Sequence, residues 1–413
     1  MTKIYFIAGE VSGDFIGGRI INQLKNDKEL TFTGVGGEYI EEAGNFKSLF
    51  PISEIILMGF LEIIPKIFRL RKLINNTVQD VIKNKPNLLI TIDSPGFTYR
   101  VAKQLKKLLP DLKMMHIVAP SVWAYKENRA VKYAKIYNYL LALLPFEPPY
   151  FTKVGLDCRY IGHPVMEQEF YSDKLALRDE FNINNDTKIL CVTLGSRKGE
   201  ILRHLPIFLS TIEELCNSYE ANSSDFEYKE SGEEFIISEM VGEGMGKSKS
   251  IDYKNLMIIF TLANSSHAEL IKPLLVNVKF DYLFSCERLK SYAVADLALA
   301  KSGTNTLEIA ASGTPMAVAY KVNIFSYFII KALIKIKYVT LINIIAGKEI
   351  IPEFIQFNCR ASLIVPKLKE LLLDSEKAYK QVIESKKVLN QLGFKSRESL
   401  SYNAAKIIKE VLK

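Results

Sequence analysis

Three observations predict an α/β protein with two doubly wound parallel sheets. Short apolar runs rich in β-branched residues alternate with helical patterns along the whole chain. The alternation comes as two series of similar length. Several runs end in loops of glycine and small polar or charged residues that open a helix, the place where open α/β sheets bind ligands. At 413 residues the chain has length for about two or three domains with cores of their own.

In the first series, strands are predicted at Lys3–Ala8, Thr31–Val35, Leu88–Ile92, Met114–Val118 and Tyr139–Leu144. Between them, Arg100–Leu109 and Asn128–Lys135 carry helical spacing with Lys and Arg on the outer face. The Gly/Pro-punctuated stretch Ile161–Val165 is the expected linker, giving domains at 1–165 and 166–413 with the last helices free to pack back on the first. The second series has strands predicted at Lys188–Thr193, Leu256–Leu262, Val278–Phe284, Asp296–Ala300 and Met316–Ala319. Residues 217–254 do not fit this pattern. They hold nine acids against four bases and are frequent in Ser and Gly, which predicts a solvated insertion. Within it, Gly242–Ser248 imitates a phosphate-binding P-loop but has three residues, not four, between the first glycine and Gly-Lys.

Composition narrows the function. With 48% hydrophobic and 24% charged residues, the chain is neither disordered, collagen-like nor a coiled coil. A net charge of +8 suits an anionic partner. The five cysteines have no C-x-x-C spacing, which argues against a disulfide framework or zinc site and for reduced thiols in a cytosolic protein. His116, His163, His204 and His267 share no metal-ligand spacing, so neither a metal nor another cofactor is expected. No G-x-S-x-G elbow signals a hydrolase, no recognition motif signals nucleic acid, and no targeting or membrane-spanning segment is visible.

Four strand-end loops carry the candidate chemistry. In 8–18 (AGEVSGDFIGG), glycines permit close backbone approach, and Ser12 or Asp14 either caps the following helix or faces a ligand. In 89–96 (LITIDSPG), an apolar strand delivers Asp93 at its carboxyl end, where it acts as a general base or merely bonds its own turn. In 194–200, Gly195, Ser196, Arg197 and Lys198 stand at a helix N-terminus and suit a phosphate or pyrophosphate. In 300–308, Ser302, Gly303 and Thr304 suit phosphate and Glu308 a ribose, or the residues simply cap and complement the helix. Two anion-ready loops in the second domain suggest a nucleotide-diphosphate donor there. Two basic-apolar segments, Met58–Ile74 and Asn323–Asn343, fit either core packing or an interfacial helix on anionic lipid. The first sets Phe60, Ile63, Ile64, Ile67 and Phe68 among Arg69, Arg71 and Lys72.

Together these loops resemble lipid-A-disaccharide synthase, glycosyltransferase family 19. The matching stretches include AGEVSGDFIGG (8–18), GVGGEYIEEAG (34–44), TIDSPGF (91–97), IVAPSVWAYKENR (117–129), LLPFE (143–147), LGSRKGEI (194–201), KSGTNTLE (301–308) and NIIAGKEIIPEFIQ (343–356). They cover nearly the whole chain in the family's order. Leu194 and Ile342 stand where the family pattern has proline, and the acidic insertion is not part of that pattern. The resemblance implies a GT-B fold, two Rossmann-like domains facing across a cleft, with acceptor on the first and UDP-sugar on the second. It implies inverting transfer of 2,3-diacylglucosamine from UDP-2,3-diacylglucosamine to 2,3-diacylglucosamine 1-phosphate (lipid X), with UDP released. On it, Asp93 is the base, and Gly195, Ser196, Arg197, Ser302, Gly303 and Thr304 cradle the diphosphate. Glu308 holds the ribose, Asn343 and Glu353 line the donor side, and Ser12, Asp14, Trp123 and Tyr125 face the acceptor. The enzyme would be cytoplasmic, bound peripherally to the anionic inner membrane, and a homo-oligomer stays open. The alternatives are a UDP-N-acetylglucosamine 2-epimerase-like enzyme and a non-catalytic lipid- or nucleotide-binding protein.

Overall fold

The computed structural model describes residues 1–56, 63–223, 256–324, 327–328, 331, 336–396 and 398–413. The chain divides into two compact units, one built chiefly from Met1–Gln168 and Asn390–Lys413, the other from most of 169–389. Each is a Rossmann-like domain around a six-stranded parallel sheet flanked by helices.

In unit 1 the strands are β1 (Thr2–Ala8), β2 (Leu30–Val35), β3 (Leu88–Ile92), β4 (Lys113–Ile117), β5 (Tyr139–Ala142) and β6 (Asp157–Tyr160), in the order β2-β1-β3-β4-β5-β6. Because successive strand side chains point to opposite faces, β1 feeds two cores. Ile4, Phe6 and Ala8 join Ile16, Ile20 and Leu24 of the helix Val11–Leu24 and Leu400, Ala404 and Ile408 of the final helix, Leu400–Leu412. Tyr5 and Ile7 face the other way, toward Leu73, Ile74 and Val78 of the helix Ile63–Asn84 and Val101 and Leu105 of the helix Thr98–Leu108. Burial on both faces explains why these strands read as apolar runs rather than as alternating ones.

Unit 2 has β7 (Lys188–Thr193), β8 (Leu256–Thr261), β9 (Asp281–Ser285), β10 (Leu297–Lys301), β11 (Met316–Tyr320) and β12 (Glu353–Ile355), ordered β12-β11-β10-β7-β8-β9. Leu190 and Val192 pack with Leu205, Phe208 and Ile212 of the long helix Lys198–Ser223 and with Ile364 and Leu368 of the helix Ala361–Leu373. That long helix takes in the first residues of the acidic segment, and the rest of it, with the P-loop imitation, lies outside the described residues.

Two strands escape sequence reading, β6 and β12. Both are edge strands, four and three residues long, and β6 carries Asp157 and Arg159. Short charged edges are how sheets avoid pairing with other chains, and such edges lack the apolar run that announces a strand. The stretch Ile161–Val165, expected to be a linker, is packed into unit 1. Ile161 and His163 are buried, the His163 N–H donates to the Leu392 carbonyl, and Asn403 donates to the Ile161 carbonyl. Among the described residues, no helix is long and apolar enough to cross a membrane and no cluster of His, Cys, Asp and Glu could hold a metal ion.

Candidate functional site

Strand order locates the candidate sites. In unit 1 the chain winds from β1 outward to β2 on one side and through β3 to β6 on the other, and unit 2 does the same from β7. The crevices beyond β1/β3 and β7/β10 are therefore the points where an open parallel sheet accepts a ligand.

At the first crevice, β3 ends in Asp93 and Ser94, both in the left-handed region at φ 52° and 46°. Two consecutive non-glycine residues there cost about 1–3 kcal/mol each, a strain that surrounding structure must hold. Asp93 N–H donates to the Ile117 carbonyl at 3.0 Å, and the buried Thr98 hydroxyl donates to the Asp93 carbonyl at 2.6 Å. Gly9 is the neighbour that makes room, since a Cβ there would lie 2.4 Å from the Ser94 Cβ. Asp93 Oδ1 accepts the Ser94 N–H at 2.7 Å, the local turn bond, while Oδ2 makes no hydrogen bond among the described residues. Burial pushes the carboxyl above the ordinary carboxylate range, and the Ser94 N–H partly offsets this. A half-buried carboxylate with one free oxygen and a raised pKa has the attributes of a general base.

The remaining first-unit candidates separate. Ser12 is exposed at the start of the helix Val11–Leu24. Asp14 neither caps that helix nor opens to solvent. It is buried inside it, and its carboxylate accepts the N–H groups of Gly37, Tyr39 and Ile40, capping the helix Glu38–Gly44. Burial raises its pKa despite those three donors. Tyr125 is half-buried with Arg129 and Lys126 over its ring.

Trp123 leads to a residue that sequence reading passed over. Its Nε1–H donates to Glu147 Oε1 at 3.1 Å, and Leu144 N–H donates to Glu147 Oε2 at 3.0 Å. Glu147 is 3% exposed, and burial lifts its pKa to about 7. Its only signal was an acid closing the apolar stretch LLPFE ahead of two prolines. Since the folded-state pKa lies above the unfolded value, the native state holds the proton that the unfolded chain releases, and stability falls as pH rises from about 4.5 to about 7. The loss is on the order of 3 kcal/mol. Buried His116 and His163, held down to about 3 and about 4, tilt stability the other way below pH 6.5. Urea midpoints of wild type and Glu147→Gln at pH 5 and pH 7.5 isolate the glutamate. The gap between the two proteins should shift in favour of the variant at the higher pH, and a gap independent of pH would mean that Glu147 ionises normally.

At the second crevice, Gly195 has φ 110°, and a Cβ there would meet Glu200 Oε2 at 2.6 Å. Ser196 and Arg197 are exposed ahead of the helix Lys198–Ser223, as are Gly303 and Thr304 ahead of the helix Asn305–Ala311 on adjacent β10. The two turns are tied together: Lys301 Nζ pairs with Glu200 Oε1 at 3.1 Å, and the Asn305 side chain donates to the Thr193 hydroxyl at 3.1 Å. Buried His204 supports the same corner, stacked on Tyr320, with Nδ1 against the Glu200 carbonyl and Nε2 accepting the Lys321 N–H. The result is two helix N-termini side by side with one exposed guanidinium, a fit for a diphosphate. Glu308 is buried and paired with Arg288 at 3.4 Å.

Asn343 and Glu353, expected to line the donor side, belong to one hydrogen-bonded network. Asn343 is fully buried. Its amide donates to the Ile351 carbonyl and Glu353 Oε1 and accepts the N–H groups of Ile350 and Ile351. Glu353 also accepts from the Thr340 N–H and hydroxyl and from the Val339 N–H. Ser302 donates its hydroxyl to the Val339 carbonyl at 3.2 Å, so this network holds the segment that braces the phosphate-ready turn.

Of the membrane candidates, Phe60 lies outside the described residues, as do the side chains of Ile63, Ile64 and Ile67. Phe68 is 66% exposed beside exposed Arg71 and Lys72, Arg69 pairs with Glu54, and Leu73 and Ile74 belong to the core.

A family model described as lipid-A-disaccharide synthetase matches residues 4–243 and 244–408. Curated relatives named lipid-A-disaccharide synthase include that of Rickettsia felis, 67% identical over 99% of this chain and 96% of the relative. Another, from Rickettsia prowazekii, is 65% identical over 99% of both. Among solved structures, the UDP-GlcNAc 2-epimerase of Neisseria meningitidis bound to UDP-GlcNAc matches with a TM-score of 0.61 at 12% identity, over 100% of this chain and 99% of that one. MurG of Acinetobacter baumannii matches with a TM-score of 0.53 at 9% identity, over 99% of this chain and 100% of that one. At such identities the structures speak for the fold alone.

Proposed function

This chain belongs to the lipid-A-disaccharide synthase family, and from that premise we propose that it transfers 2,3-diacylglucosamine from its UDP derivative to the 6-hydroxyl of 2,3-diacylglucosamine 1-phosphate. The observation that carries the reading is a strained, half-buried Asp93 at the ligand-accepting crevice of unit 1, matched by paired helix N-termini with Arg197 at the equivalent crevice of unit 2. Asp93 takes the proton of the acceptor hydroxyl as its oxygen attacks the anomeric carbon. The bond from that carbon to the diphosphate breaks on the opposite side, which inverts the centre. The negative charge that develops on departing UDP is met by the turns at 195–197 and 302–304, preorganised donors that need not reorient as charge grows. Glu308, one turn inside its helix, is assigned to the ribose, with Arg288 orienting its carboxylate.

Incubation of the purified protein with both acylated substrates tests the reading by formation of the disaccharide 1-phosphate and UDP. Turnover of acyl-free UDP-N-acetylglucosamine alone would favour an epimerase instead. Arg197→Ala is expected to weaken UDP binding by about 10- to 100-fold through loss of a charge-assisted contact. Unchanged affinity in a calorimetric titration would reduce this loop to a turn.

Acylated substrates reside in a bilayer, so the proposal extends to peripheral association with the anionic inner-membrane surface, with Phe68, Arg71 and Lys72 as the described contacts. Cosedimentation with anionic vesicles should then fall as salt rises.

A further inference from the structure

Beside the Asp93 loop, unit 1 contains a cavity of about 670 Å³ that none of the roles assigned so far uses. One wall is a single face of the helix Thr98–Leu108, where Tyr99, Lys103, Lys106 and Lys107 follow Pro95 at helical spacing. The facing wall comes from the helix Arg129–Ala134 and its flanks, with Lys126, Arg129, Lys132 and Lys135. No acid lines the cavity, and none of these seven cations is ion-paired among the described residues. Lys106 donates to the Pro110 carbonyl and Arg129 to the Tyr125 hydroxyl, both neutral partners. So many like charges around one concavity repel one another, and a bound anion would relieve that repulsion.

A second observation points the same way. Tyr133 also lines the cavity and is 3% exposed; its hydroxyl lies against the Arg129 guanidinium, which can only donate, and no acceptor for the hydroxyl's own hydrogen is found among the described residues. Its ring is fixed between Tyr99 and His116 at centroid distances of 5.2 and 5.4 Å, so the hydroxyl cannot swing away to find one. A buried hydroxyl whose hydrogen has no acceptor is unfavourable, and an anionic oxygen in the cavity would accept from it.

We infer that this cavity binds a phosphate ester, and specifically the phosphomonoester of the acceptor sugar. This rests on the proposed function for the identity of the acceptor, and it accounts for the position of the cavity: Pro95, in its wall, is two residues from Asp93. A phosphate seated among the lysines would anchor the acceptor by the end remote from its reacting hydroxyl. A phosphodiester headgroup shares the chemistry, and the experiment separates the two sources.

Glucosamine 1-phosphate is titrated into the full-length protein with ³¹P line broadening as the readout, with glucosamine 6-phosphate and inorganic phosphate in parallel. Phosphatidylglycerol vesicles form a separate cosedimentation arm. Glucosamine 1-phosphate should bind the wild type, and K103S/K132S, which removes two exposed lysines and no core contact, should weaken it by about tenfold or more. Tyr133→Phe, which takes away only the hydroxyl, should weaken it by severalfold, and both variants should keep wild-type UDP affinity. Loss of glucosamine 1-phosphate binding supports the inference whether or not vesicle binding falls with it. Unchanged glucosamine 1-phosphate affinity in K103S/K132S overturns it, and if vesicle binding alone is lost, the cavity serves a membrane headgroup. Because binding is read without turnover, a protein that binds glucosamine 1-phosphate here but makes no disaccharide would refute the proposed reaction and leave this site standing.

Discussion

Asp93→Asn is expected to leave a folded protein with normal UDP affinity and turnover lowered about 10²- to 10⁴-fold, the range for loss of a general base. Asparagine isolates the chemistry because it keeps the local structure. It tolerates the left-handed backbone at φ 52° at least as well as aspartate, and its side-chain oxygen can still accept the Ser94 N–H. Alanine at this position would confound strain with catalysis. The measurement is kcat and KM for the acceptor together with a UDP titration. Near-normal kcat would remove Asp93 from the reaction. Asp14 could not readily replace it, since that carboxylate is held by three backbone N–H groups of a neighbouring helix.

Asn343→Leu should be among the most destabilising single substitutions in unit 2. The side chain is fully buried, and its removal orphans the N–H groups of Ile350 and Ile351 and the Ile351 carbonyl while depriving Glu353 of a donor. Each unpaired buried group costs about 1–3 kcal/mol, so a total on the order of 3–5 kcal/mol is expected, read from the denaturant midpoint. UDP affinity should fall too, because the same network steadies the Val339 carbonyl that receives the Ser302 hydroxyl. Asn343→Asp makes a contrasting probe. It restores the acceptors for Ile350 and Ile351 but sets a second carboxylate against Glu353, so its stability should recover as pH falls and one of the pair takes up a proton. A loss below about 1 kcal/mol in Asn343→Leu would show that water had moved in to satisfy the orphaned groups.

Ten of the twelve strands among the described residues are legible in the amino-acid sequence because parallel strands buried on both faces are largely apolar, as Leu88–Ile92 and Lys188–Thr193 are. Of the four edge strands, Asp157–Tyr160 and Glu353–Ile355 are not, because at four and three residues they are too short to form an apolar run, whereas the longer edges Leu30–Val35 and Asp281–Ser285 are. The loops bearing Asp93, Arg197 and Ser302–Thr304 could be found from local composition, because small polar residues after an apolar run mark a strand-to-helix turn wherever they occur. What composition could not reveal is which polar side chains are already occupied. Asp14, Asn343 and Glu353 look ligand-ready as letters, yet their partners lie as much as 26 residues along the chain or in another turn of the same loop. Glu147 shows the converse, since its burial and its bond to Trp123 depend on two strand-end loops that meet only once β4 and β5 pair.

The final helix, Leu400–Leu412, completes the core that begins with Ile4 and Phe6, while the intervening second unit takes most of 169–389. A ribosome releases the first strand almost four hundred residues before the helix that covers it. Through that interval the nascent first unit carries an apolar strip where Leu400, Ala404 and Ile408 will lie, and unit 2 can fold in full before unit 1 is sealed. Vectorial synthesis therefore leaves the domain that starts first to finish last, and places the greatest demand for a holdase chaperone on the half of the protein that carries the candidate base.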